Sequence, residues 1–334
     1  MSAPETPTPP ARSPWVSPGR LAGTGLFLLA VVVLILWLAP AGGYDLQLVD
    51  PAHAVAPLVH VKGERPARDG GAIYFVDVRE RPARLIERIL PWTRADGSSL
   101  VPSPGISSSV ERRLGELQMA DSQKIAPYVA LKLLGYRVSA RIGGVTVLVI
   151  EHGTPAAKVL RPNDVILVAD GHPVKTIVDL HAALAHKRPG DRVTLRFRRE
   201  GKVREATLAT VADPKDPKRP IIGISPLDDL EVRLPIPITI DAGGVGGPSA
   251  GLAFALDILQ ELGRNVAHGR KVAATGELAL DGRVEPIGGV KQKTLGARRA
   301  HVDVFLVPAG DNANDARRYA DGLRIIPVET LRQA

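Results

Sequence analysis

Ile240 to Leu262 reads IDAGGVGGPSAGLAFALDILQEL, a glycine-rich turn running into an apolar stretch. Leu252, Ala255, Leu256, Leu259 and Leu262 fall on one helix face, and Phe254 and Ile258 widen it. Pro248 suits a first turn and Gly263 a helix stop. The first N–H groups of a helix lack partners and carry the positive end of its dipole. The turn therefore fits two roles, a cradle for phosphate or a support for Ser249 as nucleophile beside an oxyanion. A P-loop would need Lys followed by Ser or Thr after the glycines, and G-x-G-x-x-G would need glycine at 249; neither is present. A serine nucleophile needs a base. The eight histidines are scattered and supply no obvious triad.

Residues 274–300 read ATGELALDGRVEPIGGVKQKTLGARRA. Asp281-Gly282 marks a hairpin turn, and Gly288-Gly289 leads into a helix that carries Lys291 and Lys293. The ordered set G-P-S-A-G, T-G-E and D-G-R-V-E-P-I-G-G-V-K-Q-K resembles the proteolytic domain of Lon-type serine proteases. The tail fits it too, with a strand Val304–Pro308, a helix near 311–323 and Ile326-Pro-Val-Glu-Thr330, so the likeness is continuous from about 232 to 332. It implies Ser249 as nucleophile, Lys293 as general base, and Thr275 as the residue that hydrogen-bonds and orients the lysine. Oxyanion donors are expected among the N–H groups of Gly246, Gly247 and Ser249. At a pKa of about 10.4 only ~0.04% of a lysine is neutral at pH 7. Burial that lowers it by about three units makes roughly a quarter neutral, enough to serve as a base. Lys291 is expected to be exposed or structural. Two departures stand out. Gly246 occupies the position, three before the serine, where ATP-dependent Lons carry an acidic residue, and no Walker motif occurs in the 334 residues. Two other readings stay open on sequence alone: a catalytically idle scaffold, and a small-molecule kinase whose glycine-serine loop opens a helix.

Upstream, from Val138, short β-runs surround one helix. Thr176 and Asp179 have capping-box spacing, Ile177, Leu180 and Leu184 share a face, and Glu200-Gly201 turns a hairpin. Gly144-Val-Thr-Val, Gly153-Thr-Pro-Ala-Ala, Arg161-Pro-Asn-Asp-Val-Ile, Asp170-Gly and Pro189-Gly-Asp resemble a PDZ domain of the bacterial protease-associated type. Asn163 stands where that family has glycine and tolerates the same left-handed turn. The resemblance implies that a C-terminal chain end adds as a strand between Val145–Ile150 and the 176–185 helix, with Gly144, Val145, Val147, Leu180 and Leu184 forming the peptide site. Asp213–Pro220 reads as a linker, followed by strands at 221–225 and 231–241.

The region 42–136 is less legible: a strand at 71–78, a helix at 82–90, a loop at 96–109, and a helix at 120–134 capped by Asp121 or Ser122 and kinked at Pro127. Leu21–Ala39 holds no charge; as a helix it would reach about 28 Å, close to the roughly 30 Å hydrocarbon core. Arg12 and Arg20 precede it and no Lys or Arg follows until Lys62, which places the N-terminus in the cytoplasm. Six prolines among the first 20 residues suggest a disordered tail. A net charge of +8 without a long basic run argues against nucleic acid, and the lack of cysteine excludes disulfides and thiolate metal sites. The expected fold class is α+β: a tail (1–20), a transmembrane helix (21–39), a lead-in (42–136), a PDZ domain (137–211), a linker (212–220) and a Lon-type α/β domain (221–334). The architecture is similar to the ATP-independent, membrane-anchored PDZ-Lon proteases of bacteria. That likeness implies an endopeptidase of the bacterial cell membrane with extracytoplasmic domains. It needs no cofactor or metal, acts on protein or peptide substrates, and assembles as a homo-oligomeric ring, commonly of six.

Overall fold

A computed structural model describes residues 18–63, 71–103, 108–213 and 216–334. Most of the expected tail and the centre of the linker lie outside these residues. In chain order the first elements are α1 (Pro18–Leu38), β1 (Pro40–Val49), β2 (His53–Ala54), β3 (Val59–Val61), β4 (Ala72–Phe75), β5 (Val78–Arg84), α2 (Leu85–Ile89) and β6 (Ser99–Pro102). Then come α3 (Ser108–Leu133), β7 (Ser139–Ile150), β8 (Val165–Ala169), β9 (His172–Pro173), α4 (Ile177–Leu184), β10 (Arg192–Arg199), β11 (Lys202–Ala209), β12 (Val211–Ala212), β13 (Pro220–Ile221) and β14 (Ile224–Arg233). The last are β15 (Ile238–Ile240), α5 (Gly251–Glu261), β16 (Lys271–Ala274), β17 (Glu277–Leu278), β18 (Val284–Glu285), α6 (Val290–Arg299), β19 (Val304–Pro308), α7 (Asp311–Arg318) and β20 (Arg324–Val328).

The chain divides into two compact units, one of residues 1–47 and 80–104 and the other of 48–79 and 105–334. In the first, β1 pairs antiparallel with β6, and Arg84 and Arg88 lie over the rings of Trp37 and Tyr44 at 4.5 Å. Arg81 hydrogen-bonds the Glu87 carboxylate and holds it below the usual carboxylate range. The expected transmembrane span is helical in α1, with large apolar side chains from Leu26 to Leu38 standing out by 46–71%. Among the described residues, however, no helix is long and apolar enough to cross a membrane.

The second unit contains two principal sheets. One has the order β2-β4-β16-β19-β20, parallel except for β2. Its inner strands are nearly all apolar, as a sheet covered on both faces requires. α5, fully buried from Gly251 to Gln260, packs with α3, β3 and β4 in one core, while α6 and α7 build a second against Ala273, Phe305 and Val307. The other sheet is antiparallel with the order β11-β10-β8-β7-β14, and closes over α4 around Val145, Val147, Ile166, Leu180, Leu195 and Phe197. Thr176 caps α4 with Asp179 in the reciprocal box, and Asn163 adopts φ 70°.

Three expectations are corrected. The helix expected at 120–134 begins at Ser108, so Asp121 and Ser122 are mid-helix residues; Met119 and Ala126 extend the buried face on either side of them. The strands expected at 221–225 and 231–241 are divided differently: residues 224–233 form one β14 along the whole of β7, while 220–221 and 238–240 are the separate strands β13 and β15, paired with β12 and β3. The loop expected at 96–109 contains β6.

Candidate active site

Ser249 sits two residues before α5, in the turn ahead of its N-cap Ala250 rather than on the helix itself. The end of β16 holds its backbone: the Gly276 N–H donates to the Ser249 carbonyl at 2.8 Å, and the Thr275 hydroxyl donates to the same oxygen at 3.2 Å. The Thr275 hydroxyl thereby steadies the backbone of the serine, while its expected role of orienting the lysine stays a proposal. Gly289 caps α6 with φ 68°, and one turn later Lys293 points back at the serine. Its Nζ donates to Ser249 Oγ at 2.7 Å, and the lysine is 4% exposed. A lysine that deep loses the water that would stabilise its ammonium form. Lys291, by contrast, reaches the Tyr319 ring at 5.7 Å.

Of the expected oxyanion donors, Gly247 is already engaged: its N–H donates to the Gly115 carbonyl of α3 at 2.8 Å. The N–H groups of Gly246 and Ser249 have no partner among the described residues.

Beside α6 lies a group that sequence reasoning missed. His53 Nε2 is 3.7 Å from both Asp50 and Asp77. Burial, reinforced by Asp50, pushes the Asp77 carboxyl above its ordinary range, while His53 and Lys293 pull it back. The ligand atoms of these three lie within 4.8 Å of one another and could share a cation. Residues 50–78 carry no motif spacing that would have revealed the cluster.

The expected peptide cleft is not open. Val145 and Val147 are fully buried core residues, and Leu180 and Leu184 are nearly so. Gly144 packs so closely on Ile166 that a Cβ would come within 2.5 Å of its carbonyl oxygen. The β7 edge on which a chain end was expected to add is taken by the chain's own β14, from Ile224 against Ile150 to Arg233 against Ser139. Asp228 seals the contact by accepting the Ile177 N–H, at the start of α4, at 2.7 Å.

Residues 132–210 match the PDZ domain family, and residues 228–334 match the Lon protease (S16) C-terminal proteolytic domain. Residues 228–334 are thus similar to the serine peptidase domain of Lon proteases. Lon protease 1 of Bacillus subtilis (strain 168) is 41% identical over 106 residues, which cover 31% of this chain and 13% of that one. Lon protease of Azospirillum brasilense is 45% identical over 89 residues, 25% of this chain and 11% of that one. A crystal structure of the PDZ domain of an SdrC-like protein from Listeria monocytogenes is 32% identical, covers 26% of this chain and 90% of that one, and has a TM-score of 0.24. The chain spans about an eighth of the length of the curated relatives it matches. The two matches lie in one polypeptide, which joins a segment similar to PDZ domains to one similar to the Lon proteolytic domain.

Proposed function

We propose that this chain is an ATP-independent endopeptidase that hydrolyses unfolded or locally opened proteins with a Ser249–Lys293 dyad. The observation that carries the reading is the 2.7 Å contact between Lys293 Nζ and Ser249 Oγ in a buried setting. In this mechanism the neutral amine takes the hydroxyl proton as Oγ attacks the scissile carbonyl. The N–H groups of Gly246 and Ser249 receive the oxyanion. The lysine then returns the proton to the leaving amine, and water resolves the acyl-enzyme with the same base. The 334 residues hold no Walker motif, so the reading is tested without nucleotide. Without an unfoldase, folded substrates are cut only where they open locally. The ring of apolar side chains exposed on α1 supports attachment to a membrane, since a helix apolar on all sides needs apolar surroundings.

The test uses the full chain in detergent with an unfolded model protein and no nucleotide. Cleavage by wild type and none by Ser249→Ala or Lys293→Ala is expected. Full activity of Lys293→Ala would discard the base, and activity that appears only with ATP would discard the energetic part of the reading. Flotation of the wild type with liposomes, lost on deletion of residues 18–38, tests the membrane contact; equal flotation of both forms would contradict it.

A further inference from the structure

The Ser249 turn is held from outside the proteolytic domain. α3 lies ahead of both family matches as far as residue 131. Gly115, Met119, Ser122 and Ala126 follow one another at helical spacing on a single face. Met119 and Ala126 are buried in the core shared with α5, as that face predicts. The glycine and the serine interrupt the apolar pattern, and each meets the turn. The Gly115 carbonyl accepts the Gly247 N–H at 2.8 Å, and a Cβ on Gly246 would come within 3.3 Å of the Gly115 backbone. Ser122, 5% exposed, donates from Oγ to the Pro248 carbonyl at 3.3 Å. A Cβ on Gly251 would stand 2.9 Å from Ser122 Oγ. These contacts bracket Ser249, at residues 246–248 before it and at 251 after it. They press it toward the β16 end, where Thr275 and Gly276 hold its carbonyl.

We propose that Gly115 and Ser122 are positioning residues for the nucleophile, so that the segment ahead of the PDZ domain is part of the catalytic apparatus. The inference rests on the Ser-Lys reading above. Its physical basis is that a turn rich in glycine has little rigidity of its own. A misplacement of the nucleophile by about 1 Å can reduce the rate on the order of 100-fold. Ser122 removes one anchor when truncated, and Gly115 removes the other when its side chain becomes large enough to push the turn away. Alanine at 115 is the conservative control: its Cβ would lie 3.5 Å from Gly246 and Gly247, an ordinary contact, and the carbonyl remains.

The experiment compares full-length wild type, Ser122→Ala, Gly115→Leu and Gly115→Ala in detergent. A fluorophosphonate probe measures the second-order rate of Ser249 labelling, and a quenched peptide gives kcat and KM. Thermal melts follow the fold, and amide hydrogen exchange follows residues 243–251 separately from α5. Expected are about 10-fold slower labelling and lower kcat for Ser122→Ala, and about 100-fold for Gly115→Leu, at unchanged KM, with Gly115→Ala close to wild type. Exchange in 243–251 should quicken in the two damaging variants while α5 stays protected. Unchanged labelling and unchanged exchange in folded Ser122→Ala would overturn the proposal, as would losses that only track the melting temperature. A wild type that neither labels nor cleaves would sink the Ser-Lys reading instead, and the exchange data would still decide whether α3 holds the turn.

Discussion

The Ser249–Lys293 site and the β7–α4 cleft were both anticipated from sequence patterns, and they came out differently. The serine and lysine meet at 2.7 Å, 44 positions apart in the chain. The cleft is filled by β14, with Asp228 on the first turn of α4. The difference lies in what each feature depends on. A dyad depends on side chains within one domain, where turn, strand end and helix start are all set by local residues. An open groove depends on what the remainder of the chain does with an unpaired strand edge, and an edge of that kind is a template for any nearby strand. Here the nearest strand is the one that leads into the proteolytic domain.

The largest effect should come from the site side. α6 lies so close to the preceding segment that a Cβ on Gly296 would collide with the Asp50 carbonyl, and Gly296 itself accepts the Ala52 N–H. Gly296→Ala should move Lys293 off Ser249, lowering hydrolysis by about 100-fold or more and the melting temperature with it. Activity near that of wild type would show that the dyad tolerates displacement of its helix. On the cleft side, Asp228→Ala removes one carboxylate from a helix N-terminus, worth about 1 kcal/mol. Hydrolysis should change less than about two-fold. A labelled peptide with an apolar C-terminus should show no anisotropy change on wild type. Binding by that peptide would mean that β14 leaves readily and that the two regions differ less than their geometry suggests.

The smallest effect concerns pH. Asp77 and Lys293 are in electrostatic reach, with Asp50, His53 and Arg79 in the same cluster. An ionised carboxylate favours the protonated lysine, which is the inactive form of a base. Asp77→Asn should therefore move the acid limb of the activity profile to lower pH, by under about one unit. A shift to higher pH would reverse the sign of that coupling. Because burial raises the Asp77 carboxyl, its ionised form opposes folding at neutral pH, and the same variant should melt no lower than wild type there.

Much of this was readable in advance, for identifiable reasons. The turn before α5, the stop at Gly263, the Asp281-Gly282 hairpin and the start of α6 are written in residues that only one local conformation suits. Asn163 at φ 70° belongs with them. What escaped depends on contacts distant in sequence. Gly115 has no motif around it, and its meaning appears only where its carbonyl meets Gly247. Ser122 looked like a helix cap, because a serine before an apolar stretch usually is one, whereas α3 had already run for three turns and more. For Thr275, spacing identified the neighbourhood but did not reveal that its hydroxyl donates to the Ser249 carbonyl. The apolar stretch in α1 is plain in the sequence and is helical, although among the described residues no helix is long and apolar enough to cross a membrane.

The most direct test of the central claim is hydrolysis of an unfolded protein by the full chain without nucleotide, with Ser249→Ala and Lys293→Ala followed beside wild type by gel and mass spectrometry. Cleavage by wild type alone, with both variants folded and silent, is the result the Ser-Lys account predicts. Cleavage that persists in folded Lys293→Ala would contradict it, because the 2.7 Å contact would then hold the serine without activating it.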